Sequence, residues 1–338
     1  MILIRQSYSF AKSMNFTNYK LFWMAILSLS FFSSCTDTPN EQEAEEPFVS
    51  SVSIVTTTTQ ITDLVKQLTG GHCKVHPMMG PGVDPPLYKP PARDVMSLPT
   101  ADLIVFHGLQ LEGKLGTAFE TAGLSRDKIF SISSVIEPSA LLFAEEEEGK
   151  FPDPHIWFDP TIWTTCLHGL AARLSSLLPE QKVLISEKVD QLTREFQAVH
   201  EWGAESIQRI PPSKRILITS HDAFQYFGRS FGVEVIALQG ISTATEAGLA
   251  DRSNLVDYLK ESKVPCIFVE SSVNPKALQQ IGREAKVALG RALFSDALGA
   301  EDAFVFAADG KKHSLASWSG MMIYNIQSIV EGLVPSEQ

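Results

Sequence analysis

Three side chains that commonly bind divalent metals lie in short loops of this sequence. His155 belongs to Asp-Pro-His-Ile-Trp-Phe-Asp-Pro (153–160), His221 to Thr-Ser-His-Asp-Ala-Phe (219–224) and Asp296 to Phe-Ser-Asp-Ala (294–297). Two imidazoles and a carboxylate suit Zn²⁺, Mn²⁺ or Fe²⁺. Each residue also has an ordinary structural interpretation, because histidines often serve as hydrogen-bonded core groups and an Asp after a strand often caps a helix. The residue types alone leave both interpretations open.

The elements that would position these loops alternate between short apolar runs and helical stretches. Helices are expected at 61–68, from Pro160 with Asp159 as N-cap, and at 222–231, 252–260 and 275–289. Strands are expected at 52–56, 101–106, 128–132, 215–219, 234–238, 265–269 and 291–294. This alternation predicts an α/β fold with parallel sheets.

One long helix is expected between the two halves of the chain. Residues 180–209 contain no proline and a single glycine, Gly203. We therefore predict an N-terminal lobe at 51–179, a linking helix at 180–209 and a C-terminal lobe at 210–335. Ligands would bind in the cleft between the lobes, at loops that follow the carboxyl ends of the strands.

Charge and composition limit the functions that this protein can have. The net charge is −11, and it becomes −14 without residues 1–35, which hold three basic residues and no acidic one. Such a surface excludes nucleic acid as a partner. The acidic run 145–148 is expected to be a solvated charge run, with the gathering of cations near the site as the alternative. Three cysteines after residue 35, widely spaced, predict buried free thiols rather than disulfides.

The N-terminus has the features of an export signal. Lys20 precedes an apolar stretch of twelve residues, 21–32, which is too short to span a bilayer. Residues 32–35, Phe-Ser-Ser-Cys, resemble a bacterial lipobox in which Cys35 is the lipidated residue. Phe32 stands where Leu is usual. We expect a signal peptide at 1–35, with Met14 as an alternative start, and a disordered acidic tether at 36–50. A plain cleaved signal or a short anchor is the alternative.

Six motifs in a fixed order resemble the TroA-like substrate-binding proteins of zinc and manganese ABC importers. They are the three already given and Gly-Pro-Gly-Val-Asp-Pro (80–85), His-Gly-Leu-Gln-Leu-Glu (107–112) and Gln-Gly-Ile-Ser-Thr (239–243). The resemblance covers residues 51–333. It implies two α/β lobes joined by a long helix, with a divalent metal, Zn²⁺ or Mn²⁺, bound between them by His155, His221 and Asp296. It also implies an extracytoplasmic, membrane-anchored monomer that is not an enzyme and that serves an ABC permease and its ATPase.

The sequence departs from this family at one expected ligand. The family has a His two residues after Asp84, where this chain has Pro86, and proline has no side-chain donor atom. Three outcomes are open. The remaining three residues bind metal with water or a bidentate Asp296; another residue, His107 or His76, substitutes; or metal binding is lost.

Two other functions remain as alternatives. A three-ligand site leaves an open position, as a zinc hydrolase requires, but no Glu motif marks a general base. A degenerate receptor that acts as a surface or adhesin-like protein would bind no metal.

Overall fold

Strands and helices alternate along the chain in a computed structural model, which describes residues 51–113, 115, 119, 124–146, 149–262 and 264–334. The predicted signal peptide, Cys35 and the tether lie outside these residues. Within the described part, no helix has both the length and the apolar character needed to cross a bilayer.

A parallel four-stranded sheet organises the first half of the chain. Its order is β2-β1-β3-β4, with β1 at Ser53–Thr56, β2 at Lys74–Pro77, β3 at Leu103–Phe106 and β4 at Ile129–Ser131. The fully buried Ile54 pairs with Leu103 in register. Because the central strands are buried on both faces, their sequences are continuous apolar runs. An antiparallel hairpin follows, with β5 at Phe143–Glu146 and β6 at Gly149–Pro152.

The second half contains further parallel pairs. β7 (Ile216–His221) pairs with β8 (Glu234–Gln239), and β9 (Cys266–Ile267) pairs with β10 (Ala288–Leu289). The N–H of Phe268 donates to the carbonyl of Ile218 at 2.8 Å, which connects β9 to β7. An antiparallel hairpin, β11 (Phe304–Phe306) and β12 (Lys312–Ser314), comes last.

The helices of the described residues pack around these sheets. They are Thr59–Thr69, Ala92–Ser97, Pro160–Leu177, Lys182–Gln208, Gln225–Phe231, Leu249–Ser262, Lys276–Ala285 and Trp318–Leu333. Asp159 is the N-cap of the helix that begins at Pro160, as predicted. Its Oδ1 accepts hydrogen bonds from the N–H groups of Thr161 and Ile162.

The predicted linking helix is present as Lys182–Gln208, 27 residues that span about 40 Å. Its buried positions recur every three or four residues, which places them on one face: Ile185, Val189, Leu192, Phe196, Val199, Gly203, Ser206 and Ile207. Phe196 packs against Trp318 of the last helix, with ring centroids 4.3 Å apart. The long helix therefore shares one apolar core with elements from both halves.

Two local predictions were wrong. The helix expected to reach Leu289 ends at Ala285, because Lys286 adopts a left-handed conformation (φ +60°) as its C-cap. The strand that follows is Ala288–Leu289, and the predicted strand 291–294 contributes a single bridge, from Leu293 to Glu270. Of the acidic run, Glu145 and Glu146 end β5. Residues 147–148 of that run lie outside the described part.

Cys73, Cys166 and Cys266 are buried free thiols, as predicted. Burial raises the pKa of each, which keeps them protonated and unreactive.

Candidate metal centre

His155 is held by the loop that precedes a short 3-10 turn, Ile156–Phe158. Its backbone N–H and its Nδ1 both lie within hydrogen-bonding distance of Asp153 Oδ1, at 2.9 and 2.7 Å. The N–H of Asp153 donates in turn to the carbonyl of Leu142. Since Nδ1 is engaged by a carboxylate, Nε2 is the nitrogen left to face the cleft.

His221 is the last residue of β7, at the carboxyl end of a parallel strand, where the ligand sites of α/β folds usually lie. Its Nδ1 lies 2.5 Å from Glu270 Oε2. Glu270 Oε1 accepts the backbone N–H groups of Ser220 and His221, each at 2.9 Å. One carboxylate thus fixes both the end of the strand and the orientation of the ring.

Asp296 follows Leu293, whose backbone forms a parallel β-bridge with Glu270. Its Oδ2 accepts a hydrogen bond from Ser272 Oγ at 3.1 Å. The neighbouring Phe294 is fixed at both backbone polar groups by the side chain of Asn325, at 3.0 and 2.7 Å.

These three side chains converge. Asp296 Oδ1 lies 3.3 Å from His155 Nε2, and Asp296 Oδ2 lies 3.4 Å from His221 Nε2. A donor atom of each residue lies within 4.8 Å of the others, and all three residues are buried. These contacts do not have hydrogen-bond geometry, so within the described residues His221 Nε2 and Asp296 Oδ1 make no well-formed hydrogen bond, and the same holds for the close contact of His221 Nδ1 with Glu270 Oε2. Buried polar atoms without partners are unfavourable, so this arrangement fits a bound cation.

The pKa of each side chain in the cluster depends on the charges of the others. Burial opposes a charge on His155, but Asp153 and Asp296 outweigh it and raise its pKa to about 9. Burial likewise opposes a charge on His221, and Glu270 and Asp296 raise its pKa well above the ordinary value. For Asp296, burial acts to raise the pKa, but His221 and His155 prevail and hold the pKa far below its usual range. Without metal the cluster therefore holds protons that an incoming cation must displace.

The candidate substitutes for the missing ligand lie outside this cluster. His107 is buried, its Nε2–H donates to the carbonyl of Pro154 at 2.6 Å, and burial lowers its pKa to about 3. Its ring packs edge-on against Trp157, which also packs against His155. His76 Nε2 lies 3.2 Å from Asp94, away from the three donors. Pro86 sits in a 3-10 turn, Pro85–Leu87.

Sequence reasoning missed two carboxylates that orient the imidazoles, Asp153 and Glu270. Asp153 could have been found, since it is two residues before His155 in the same loop. Glu270 directly follows the predicted strand 265–269, at the strand end where site residues gather. Glu112 was also unassigned; its carboxylate accepts from Thr57 Oγ1 and from the N–H groups of His107 and Gly108.

The fold places this chain in a class of periplasmic metal-binding proteins. The periplasmic zinc-binding protein TroA from Treponema pallidum superimposes with a TM-score of 0.77 at 35% identity, covering 85% of this chain and all of that one. Fe(III)-bound YtgA from Chlamydia trachomatis superimposes with a TM-score of 0.72 at 25% identity, covering 84% and 98%.

The chain belongs to the ZnuA family, described as the periplasmic component A of a zinc-uptake complex, whose model matches residues 54–332. The manganese-binding lipoprotein MntA of Bacillus subtilis (strain 168) is 35% identical over 285 residues, covering 83% of this chain and 89% of MntA. TroA of Treponema pallidum (strain Nichols) is 36% identical over 285 residues, covering 83% and 88%. The resemblance to TroA-like receptors and the α/β fold with a long helix are thus confirmed. The lobe boundaries stay a prediction.

Proposed function

We propose that this protein captures a divalent transition metal, Zn²⁺ or Mn²⁺, outside the cytoplasmic membrane and delivers it to an ABC permease. His155, His221 and Asp296 are the proposed ligands. The observation behind the proposal is the convergence of their three buried donor atoms within 4.8 Å. Relatives that bear the names of manganese- and zinc-binding proteins support it.

The carboxylates behind the imidazoles suit this role. Asp153 and Glu270 lie against the Nδ1 atoms of His155 and His221, which leaves both Nε2 atoms for the metal. A carboxylate behind a ligating histidine fixes the ring and raises the basicity of the ligand nitrogen. Because the same two carboxylates are engaged by the imidazoles, neither is available as a general base, which favours a binding protein over a hydrolase.

The partners and location follow from the same function. The receptor would act as a monomer, held at the membrane by a lipid on Cys35, and would pass its metal to a permease driven by an ATPase. Relatives named as a manganese-binding lipoprotein and as a manganese ABC transporter substrate-binding lipoprotein support this assignment. A Cys35→Ala chain should fail to incorporate labelled fatty acid and should leave the membrane fraction; retention with full labelling would remove the anchor from the proposal.

Metal titration of the chelator-stripped full chain tests the proposal. We expect one site for Zn²⁺ or Mn²⁺, detected by calorimetry, that disappears in His221→Ala and His155→Ala. His168→Ala is the matched control, because this exposed histidine on the helix Pro160–Leu177 lies 3.4 Å from Thr193 Oγ1 and is not one of the three clustered side chains. If the unaltered chain bound neither ion, the metal-receptor function would be wrong and the degenerate-receptor alternative would replace it.

A further inference from the structure

A tyrosine hydroxyl closes the base of the hairpin that leads into the His155 loop. Leu142 directly precedes β5 and Asp153 directly follows β6, so the two residues form the next pair of the antiparallel ladder. The N–H of Asp153 donates to the carbonyl of Leu142 at 2.8 Å. The reciprocal bond is replaced by Tyr226, whose hydroxyl accepts the N–H of Leu142 at 3.0 Å and donates to the carbonyl of Asp153 at 3.2 Å. A side chain from the second half of the chain thus completes a backbone pair in the first half.

The hydroxyl of Tyr226 satisfies both backbone groups at once. A phenol donates one hydrogen bond while its oxygen accepts another. The side chain is fully buried, and burial raises the pKa of the hydroxyl, so the group stays protonated and able to donate. The bridge therefore ties the hairpin base to the helix Gln225–Phe231, which carries the tyrosine.

The bridge leads directly to one of the proposed ligands. Asp153 Oδ1 lies 2.9 Å from the backbone nitrogen of His155 and 2.7 Å from its Nδ1. Tyr226 thus holds the backbone of Asp153, and the side chain of Asp153 holds the imidazole. Because His155 Nε2 lies 3.3 Å from Asp296 Oδ1, a small displacement of Asp153 changes the separation of the two donor atoms.

Tyr226 also belongs to the part of the chain that carries the other imidazole. His221 ends β7, and the helix Gln225–Phe231 begins four residues later. Phe227 of this helix packs edge-on against Phe158, which lies just after the first imidazole in the chain, with ring centroids 6.4 Å apart. The hydroxyl bridge adds a directional contact to this apolar one.

We propose that Tyr226 is a positioning residue for metal capture: its hydroxyl holds Asp153 in place, and Asp153 in turn holds the imidazole of His155. This inference rests on the proposed function. Because Tyr226 shortly follows His221, the bridge fixes the separation of the two imidazoles that one cation must contact. The bridge also joins the first half of the chain to the second, so it opposes their separation and slows metal release.

Tyr226→Phe tests the proposal, since it removes the hydroxyl and keeps the ring. Without the bridge, the N–H of Leu142 and the carbonyl of Asp153 either lose their partner or close on each other, and Asp153 shifts. We expect calorimetry on the full chain to show about tenfold weaker Zn²⁺ binding, the lower limit of what loss of an outer partner costs a metal site. Metal release to a chelator should become faster by a similar factor. The absorption spectrum of the Co²⁺-loaded protein should also change, because that spectrum depends on the ligand geometry.

Arg229→Gln is the matched control on the same helix. Arg229 donates to the carbonyl of Ala140 at 2.9 Å and to Asp159 Oδ2 at 2.8 Å, and its guanidinium lies 4.9 Å from the centroid of the Tyr226 ring. The variant removes these contacts and keeps the hydroxyl bridge. We expect lower stability, Zn²⁺ affinity within about twofold of the unaltered chain and an unchanged Co²⁺ spectrum. Equal losses of affinity in the two variants would show that packing of the helix, rather than the hydroxyl, positions His155, and would overturn the inference.

The remaining outcomes separate this inference from the proposed function. If Tyr226→Phe keeps the Zn²⁺ affinity within about twofold and leaves the Co²⁺ spectrum unchanged, Tyr226 has a structural role alone, while the proposed function stands. If the unaltered chain binds neither Zn²⁺ nor Mn²⁺, both proposals fail. Thermal unfolding in chelator checks that each variant is folded, as expected for a change that keeps the buried ring.

Discussion

Glu270 contacts the strand end and the imidazole of His221 at once: Oε1 accepts the N–H groups of Ser220 and His221, and Oε2 lies 2.5 Å from His221 Nδ1. The residue is buried, so its charge is matched inside the protein rather than by water. The position of the candidate ligand therefore depends on a carboxylate that need not touch the metal.

Glu270→Gln should weaken metal binding by about 10–100-fold. The amide oxygen can keep the two backbone hydrogen bonds, but an amide NH₂ would face Nδ1 of His221. That contact favours the tautomer with the proton on Nε2, the nitrogen proposed to bind metal. Calorimetric titration with Zn²⁺ measures the loss.

The control for this prediction is Glu301→Gln. Glu301 is exposed and pairs with Lys66 at 2.7 Å, far from the cleft, so its replacement should leave the affinity unchanged. An affinity for Glu270→Gln equal to that of the control would show that the carboxylate has no role in orienting His221.

The sequence predicted the three clustered side chains better than the groups that support them. His155, His221 and Asp296 could be selected because they lie in motifs that resemble those of TroA-like receptors, whereas their residue types alone left a structural role open. Glu270 could not be singled out by type, since the chain has 39 acidic residues and only the fold shows which of them lies behind an imidazole.

The errors in secondary structure have a comparable cause. The pattern at 275–289 is helical up to Ala285, and no Gly or Pro marks its end. Lys286 nevertheless takes the left-handed conformation that a glycine usually provides, so the chain turns earlier than composition indicates. The long helix was predicted well, because no proline interrupts residues 180–209 and the buried positions there recur at helical spacing.

Gly108→Ala should destabilise the turn that holds His107. Gly108 has φ +86°, and a Cβ there would lie 2.2 and 2.5 Å from the hydroxyl oxygens of Ser131 and Ser133. We expect a loss of about 2–3 kcal/mol in the free energy of unfolding, from backbone strain and crowding together. Gly310→Ala separates the two contributions, because Gly310 has φ +80° but open space around its Cβ position.

Urea unfolding of both glycine variants in chelator makes this comparison. Gly310→Ala should lose only about 1–2 kcal/mol, the strain of a left-handed residue. Equal losses would mean that the two serine hydroxyls rotate away freely and that crowding plays no part.

Asp159 should contribute to stability in two separable ways. Its Oδ1 caps the helix Pro160–Leu177, and its Oδ2 lies 2.8 Å from the guanidinium of Arg229 in the helix Gln225–Phe231. Asp159→Asn keeps the cap and removes the ion pair, whereas Asp159→Ala removes both. Thermal and urea unfolding should show that the alanine variant is less stable than the asparagine variant by about 1 kcal/mol. An asparagine variant as unstable as the alanine variant would assign the whole effect to Arg229.

Asp63 should make the stability of the protein depend on pH. It is buried in the helix Thr59–Thr69, where it accepts the N–H of Trp318 and the amide of Gln67, each at 2.8 Å. Burial, with a smaller effect of Glu195, raises its pKa to about 7, against the opposing effects of these two hydrogen bonds and Lys66. The folded protein therefore binds the proton more tightly than the unfolded chain does. Between about pH 4 and pH 7 the contribution of Asp63 to the free energy of unfolding should fall as pH rises, by at most about 1.4 kcal/mol per unit, and this contribution should level off above pH 7.

Asp63→Asn should remove this slope while keeping the local contacts. The asparagine oxygen can accept from Trp318, and the amide of Gln67 can turn to accept from the new NH₂ group. Urea unfolding in chelator at pH 5, 6 and 7 should show the variant gaining stability relative to the unaltered protein as pH rises. Because every other titrating group is common to both chains, the difference between them isolates Asp63. Parallel curves across this range would mean that Asp63 ionises in the folded protein as easily as in the unfolded one.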